Sequence, residues 1–155
     1  MKEWQIDLLG RECLYKLKIM KLQIVNPSYV CQIWPKVETM LSRAMDVSQN
    51  EFNIHHLKLY LTEGRNTLIV AENDSGTIIG ACAVQFEKHP NENICFINAI
   101  GGRMIARMDL FEMLCDWARS QGCTKIRGAT SEAVGRLWRQ KFNLAEIYRI
   151  MEKSL

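Results

Sequence analysis

The stretch from Thr67 to Phe86 constrains this chain most. Two runs rich in β-branched and small apolar residues, Thr67-Leu68-Ile69-Val70-Ala71 and Thr77-Ile78-Ile79-Gly80-Ala81-Cys82-Ala83-Val84-Gln85-Phe86, flank Asn73-Asp74-Ser75-Gly76. Asn and Asp bond their own local backbone and Gly reaches positive φ, so this pattern predicts a β-hairpin. A lone hairpin is marginal in water, and runs this apolar must be covered by other elements.

The flanking sequence supplies those elements. Met20 to Val25 alternates as a short strand, and Asn26-Pro27-Ser28 is a turn and helix-start signal. Val30, Ile33, Trp34, Val37, Met40, Leu41 and Ala44 then recur at helical spacing. Pro35 falls inside that stripe, where it removes a hydrogen bond and is expected to kink or restart the helix. Residues 46–53 read as a polar loop. A second helix is expected from about Ile54 to Glu63, stopping at Gly64.

Past the hairpin, His89 to Asn93 reads as a turn and Ile94 to Ile100 as a buried central strand ended by Gly101-Gly102. Leu110, Phe111, Leu114, Trp117 and Ala118 mark a helix over Met108–Ser120. A short strand at Thr124–Gly128, a helix from Ser131 to about Lys141 and a last alternating strand over Glu146–Met151 complete the chain. The order β-α-α-β-β-β-α-β-α-β predicts an α/β layered domain with a mixed sheet.

With 155 residues, the chain is one ordinary domain that can bury roughly 70% of its unfolded surface. The domain is expected to start at Met20, with residues 1–19 an appended, short amphipathic helix. Twenty basic and 17 acidic residues give a net charge of +3, without the clustered basic face a dedicated nucleic-acid binder needs. Six cysteines form no C-x-x-C pair, and adjacent His55-His56 would point apart on a helix, so no zinc site is expected. No recognisable signal peptide is present, so the reducing cytoplasm is the expected compartment. No apolar run reaches the ~18–20 residues of a membrane span.

Several local patterns in this order resemble one family. Leu61-Thr62-Glu63-Gly64 before Leu68-Ile69-Val70-Ala71, Ser75-Gly76-Thr77-Ile78-Ile79-Gly80-Ala81, Trp117-Ala118-Arg119-Ser120-Gln121-Gly122-Cys123, and Phe142-Asn143-Leu144 are similar to segments of the GNAT (GCN5-related N-acetyltransferase) superfamily. The resemblance covers residues 20–155. The closing stretch is also similar to small GNAT-like proteins of bacteriophages. The resemblance implies a GNAT-like mixed sheet flanked by about four helices in three α/β/α layers. It implies acetyl-CoA as cosubstrate and an amine on a small molecule or protein as acceptor.

In that family, a Q/R-x-x-G-x-G/A loop entering a helix holds the CoA pyrophosphate on backbone N–H groups. Here Arg103-Met104-Ile105-Ala106-Arg107-Met108 fits best. Ala106 stands for the first Gly, and Met108 for the last small residue. Gly101-Gly102 lies two residues early. The implied cofactor-binding set is Ala99, Gly101, Arg103, Ile105, Ala106, Arg107 and Met108. An ordinary strand-to-helix turn with solvated arginines is the alternative.

Amine acetylation needs a base for the ammonium and an acid for the leaving thiolate. The family's Tyr on the fourth helix is replaced by Leu137-Trp138-Arg139; Tyr148, in the expected last strand, is the candidate acid that the resemblance implies. Glu92 and His89, with Glu87, flank the turn before the central strand and are candidate bases. The histidine side chain in general, with a reference pKa of about 6.5, suits the role of a base. Asn98 is a polar residue inside an apolar strand, either a satisfied core amide or a group facing the cleft. The sequence thus supports a GNAT-type N-acetyltransferase, with a binding or structural module on a degenerate GNAT scaffold as the alternative. A nucleic-acid-associated module is a weaker one. A second copy of the chain is a partner this reading allows.

Overall fold

The computed structural model describes residues 20–45 and 51–155, together with the backbone of two short strands, β1 (Gln5–Ile6) and β2 (Glu12–Cys13). These two strands pair antiparallel, Gln5 opposite Cys13 and Ile6 opposite Glu12. The appended segment therefore carries a two-residue ladder there rather than an uninterrupted helix. Its other residues, and residues 46–50 of the expected loop, lie outside the described residues.

A five-stranded sheet organises the rest, in the order β3 (Lys21–Val25), β4 (Thr67–Glu72), β5 (Ile78–Lys88), β6 (Asn93–Gly102), β7 (Lys125–Gly128). The first four strands pair antiparallel with their neighbours, while β7 joins β6 in parallel. A parallel pair needs a crossover, and α3 (Met108–Ser120) provides it. The hairpin turn forms as its residues dictate: Asn73 Oδ1 accepts from the backbone N–H groups of Ser75 and Thr77, both at 3.0 Å.

Alternation along the strands sorts the core into two halves. Leu68, Val70, Ala81 and Ala83 face α1 (Val30–Ala44) and α2 (Ile54–Thr62), meeting Val37, Leu41, Leu57 and Leu61. Ile69, Ala71, Cys82 and Val84 face α3 and α4 (Glu132–Phe142), meeting Leu110, Phe111, Leu114 and Trp138. Phe111 and Phe142 stack at 4.1 Å and join these two helices. The layers are α/β/α, because sheet residues of period two bury both faces.

Local chemistry sets the helix limits. Asn53 caps α2 by accepting from His55 and His56 N–H, and the His56 ring nitrogen accepts from Asn53 N–H at 3.2 Å. This reciprocal box gives His56 a structural role. Pro35 does not restart α1, which runs unbroken through it. Pro35 and Cys31, whose carbonyl loses its helical partner, both lie on the exposed face of the helix, where a missing hydrogen bond costs least.

The expected last strand does not form. After α4, Asn143 turns left-handed (φ 55°), and no residue from Asn143 to Leu155 is in a strand. Among the described residues, the last backbone hydrogen bond runs from Leu144 N–H to Trp138 O at 3.3 Å. Ile147, Tyr148, Ile150 and Met151 are exposed. Their alternation reports amphipathicity, but a strand also needs a hydrogen-bonding partner, which this segment lacks among the described residues.

Candidate active site

The site arises where β6 and β7 part. Their pairing runs from Ile94 opposite Lys125 to Ile97 opposite Gly128, and there it stops, although β6 continues to Gly102. Beyond Gly128 the chain turns through Ala129 and Thr130 to Ser131, whose hydroxyl caps α4 by accepting from Val134 N–H. Trp138 of α4 packs on Gly128: a Cβ there would lie 2.9 Å from the indole ring. The bare glycine thus lets α4 cross the end of β7 and prop the strands apart.

A second irregularity lies at the same level. Ala83 pairs with Ala99 but Val84 with Ile97, so Asn98 is an extra residue in β6. Such a bulge bends the strand and re-aims a side chain. Together, splay and bulge open a cavity of about 820 Å³. Its floor is Ile97–Gly102, its far wall Ala129–Ser131, Val134 and Trp138, and its roof the end of α1, with Thr39, Met40, Arg43 and Ala44. Arg43 is the one charged side chain among the lining residues, and no carboxylate is among them.

The glycines before α3 serve the roof. A Cβ on Gly101 would come within 2.2 Å of the Met40 carbonyl oxygen. Gly102 has φ +66°, and a Cβ there would sit 2.5 Å from the Ile79 carbonyl. Both are required by the approach of α1 and β5, whatever else they contact.

At the start of α3, the Arg107 guanidinium grips the Asp109 carboxylate at 2.9 and 2.6 Å. The bonds from Arg107 hold the Asp109 carboxyl below its ordinary range, with lesser help from the Leu110 N–H. The helix start thus already carries an anion of its own, on donors that would otherwise suit a phosphate.

No family model matches the chain, and no curated protein matches it by sequence. Solved structures do match. An aminoglycoside N-acetyltransferase, AAC(6')-Iy in complex with CoA, superposes with TM-score 0.63 at 14% identity, over 92% of this chain and 99% of that one. The fold is the GNAT acetyltransferase fold. The ribosomal-protein-alanine N-acetyltransferase of Brucella melitensis biovar Abortus 2308 matches this GNAT fold with TM-score 0.62 at 13% identity, over 88% of this chain and 100% of that one. A predicted acetyltransferase with acetyl-CoA from Clostridium acetobutylicum gives TM-score 0.59 at 12% identity, over 88% and 96% of the two chains.

On this GNAT scaffold, the residues singled out by sequence fall into three places. Ala99, Gly101 and Ile105 line the cavity. Arg103, Ala106, Arg107 and Met108 lie on the turn into α3, outside its lining, with Arg103 and Met108 exposed. The three candidate catalytic residues are not brought together. Glu92 lies at the opposite end of β6, bonded to Arg127 at 2.7 Å and near Lys125 at 4.0 Å, where it ties β6 to β7. His89 sits on the exposed β5–β6 turn, 3.5 Å from Glu87. Tyr148, two-thirds exposed, lines a second cavity of about 680 Å³ between α4 and the C-terminal segment, which shares Ala129–Ser131 and Trp138 with the first.

Arg43 and Trp138 are among the lining residues that the sequence did not mark for the site. Nothing in the sequence sets Arg43 apart; only the crossing of α1 over β6 places it at the cavity. Trp138 stands on α4 within the Leu137-Trp138-Arg139 stretch where the Tyr is missing. Its indole Nε1 is the one buried side-chain polar atom without a partner among the described residues.

Proposed function

We propose that this protein is an acyl-CoA-dependent N-acetyltransferase acting on an amine of a small molecule or protein. The observation that carries this is the open side of β6 beyond the Ile97–Gly128 pair, inside the 820 Å³ cavity. A strand side without a partner strand, enclosed in a cleft, suits an extended ligand with amides of its own. The arm of acetyl-CoA is such a ligand, and GNAT-fold neighbours include complexes with CoA and with acetyl-CoA.

The cavity fits the thioester arm better than the turn into α3 fits the pyrophosphate, because Asp109 already engages Arg107 there. Arg103 has no such partner among the described residues and is the freer cation for phosphate. In the reaction, the amine nitrogen bonds to the thioester carbonyl carbon, the C–S bond breaks, and the proton lost by nitrogen ends on the sulfur. Backbone groups of Asn98–Gly101 flank the reacting carbonyl, and the apolar wall of Ile97, Val134 and Trp138 excludes water. Tyr148 in the neighbouring cavity, and His89 and Glu92 at the sheet's far end, remain proposals for proton transfer. They would need solvent or chain movement to reach the site. The cytoplasm is the proposed compartment; no described helix is long and apolar enough to cross a membrane. The bacteriophage kinship rests on the closing stretch of sequence alone.

Thermal unfolding with and without acetyl-CoA tests the reading. Ligand at 100 times its Kd adds about 2.7 kcal/mol, which raises Tm by several degrees in a chain this size. An unchanged Tm at millimolar acetyl-CoA would leave only a binding module on the same scaffold.

A further inference from the structure

Asn98 is the extra residue of the β6 bulge, and it heads a chain of side chains along β5. Its Nδ2 donates to Gln85 Oε1 at 3.2 Å, and Gln85 Nε2 donates to Glu87 Oε1 at 2.9 Å. The other Glu87 oxygen lies 3.5 Å from His89 Nε2. Gln85 and Glu87 share one face of β5 by the two-residue period, and Asn98, two residues past the Phe96 that pairs with Gln85, lies on that face.

The carboxylate fixes the direction of the whole chain. An ionised Glu87 only accepts, so Gln85 must present its NH₂ to Glu87 and its oxygen to Asn98. Asn98 must then spend its NH₂ on Gln85, which leaves its Oδ1 turned away. Among the described residues, no group donates to that oxygen. It is not among the buried atoms left without a partner, so it is reachable, and Asn98 lines the cavity.

From this we infer that Asn98 Oδ1 is the seat of the acceptor amine, and that it takes the amine in its uncharged form. This rests on the transferase reading. A neutral amine donates an N–H to an amide oxygen and keeps its lone pair free for attack. An ammonium ion would find no carboxylate among the lining residues to compensate it and would face the Arg43 guanidinium. The cavity thus lowers the affinity for the form that cannot react. Glu87 acts through Gln85 as a positioning residue, holding the Asn98 oxygen outward.

Nuclear magnetic resonance of the side-chain amides tests this on the full chain at pH 7.5. The probes are aniline, uncharged at this pH, and N,N-dimethylaniline, which has no N–H to donate. Aniline is expected to shift the Asn98 amide signal saturably and to bind at least about fivefold more tightly than its dimethyl analogue. In Asn98→Ala that ratio falls to about one. Glu87→Gln, which leaves the amide chain free to reverse, gives an intermediate ratio. Equal affinity for the two probes in the parent, an unchanged ratio in Asn98→Ala, or a Glu87→Gln ratio equal to the parent's would overturn the inference. If acetyl-CoA binds and aniline does not prefer Asn98, the acceptor seat fails and the transferase reading stands. If aniline behaves as expected and acetyl-CoA does not bind, the amine seat holds and the transferase reading fails.

Discussion

Arg107 and Asp109 close on each other across the first turn of α3, through two hydrogen bonds of 2.9 and 2.6 Å. The pair neutralises an arginine that the sequence offers to phosphate and places a carboxylate at the positive end of a helix. Asp109→Asn is expected to tighten acetyl-CoA binding by at least about threefold, measured by calorimetry, by removing charge that competes with the pyrophosphate. Looser binding would mean that the pair organises the turn rather than obstructs it.

The same pair sets a pH dependence. Asp109 titrates below its ordinary value, first because Arg107 bonds its ionised form. A carboxyl depressed on folding contributes stability above its unfolded pKa and loses it as pH falls through the folded one. Its share is fully present at pH 5 and fades below the usual Asp range of about 4. The side chains are partly exposed, so the contribution is about 0.5 kcal/mol or less. The gap in urea midpoint between parent and Asp109→Asn should therefore shrink between pH 5 and pH 3; a constant gap would contradict this.

Glu92 is committed to Arg127 and Lys125 at the closed end of the β6–β7 pair. Glu92→Gln should lower stability by about 1 kcal/mol in urea unfolding, the scale of a partly buried charge-assisted bond. Acetyl-CoA binding should be unchanged. A large loss of turnover with unchanged stability would instead favour the role of base.

Gly101→Ala forces a methyl group into the Met40 backbone, where no side chain can swing aside. A loss of about 2–4 kcal/mol is expected, with the roof of the cavity displaced. A variant with the parent's urea midpoint would show that α1 retreats at little cost.

Thiol reactivity should divide by burial. Burial pushes the Cys82 thiol far up and the Cys95 thiol up to about 12, while Cys31 is exposed. The thiolate is the reactive form, so a maleimide should label Cys31 within minutes in the native protein and leave Cys82 and Cys95 untouched until denaturant is added. Mass spectrometry of the peptides reads this directly, and early labelling of Cys82 would mean that the sheet opens.

The sequence by itself determined the order of elements from β3 to α4, the hairpin turn at Asn73–Gly76, and the ends of α2, α3 and α4 to within about two residues. These are local matters: side-chain period, caps and turn residues act within a few positions. Tertiary structure alone decided the rest. The apolar alternation of Ile147–Met151 could not say whether another strand would pair with it. The spacing of Arg107 from Met104 could not say that Asp109 would take its charge. Nothing around Asn98 in sequence announced Gln85, thirteen residues earlier, as the group that turns its oxygen outward. Hydrogen bonds across strands and between elements depend on register and bulges, which many residues set together and no short segment encodes.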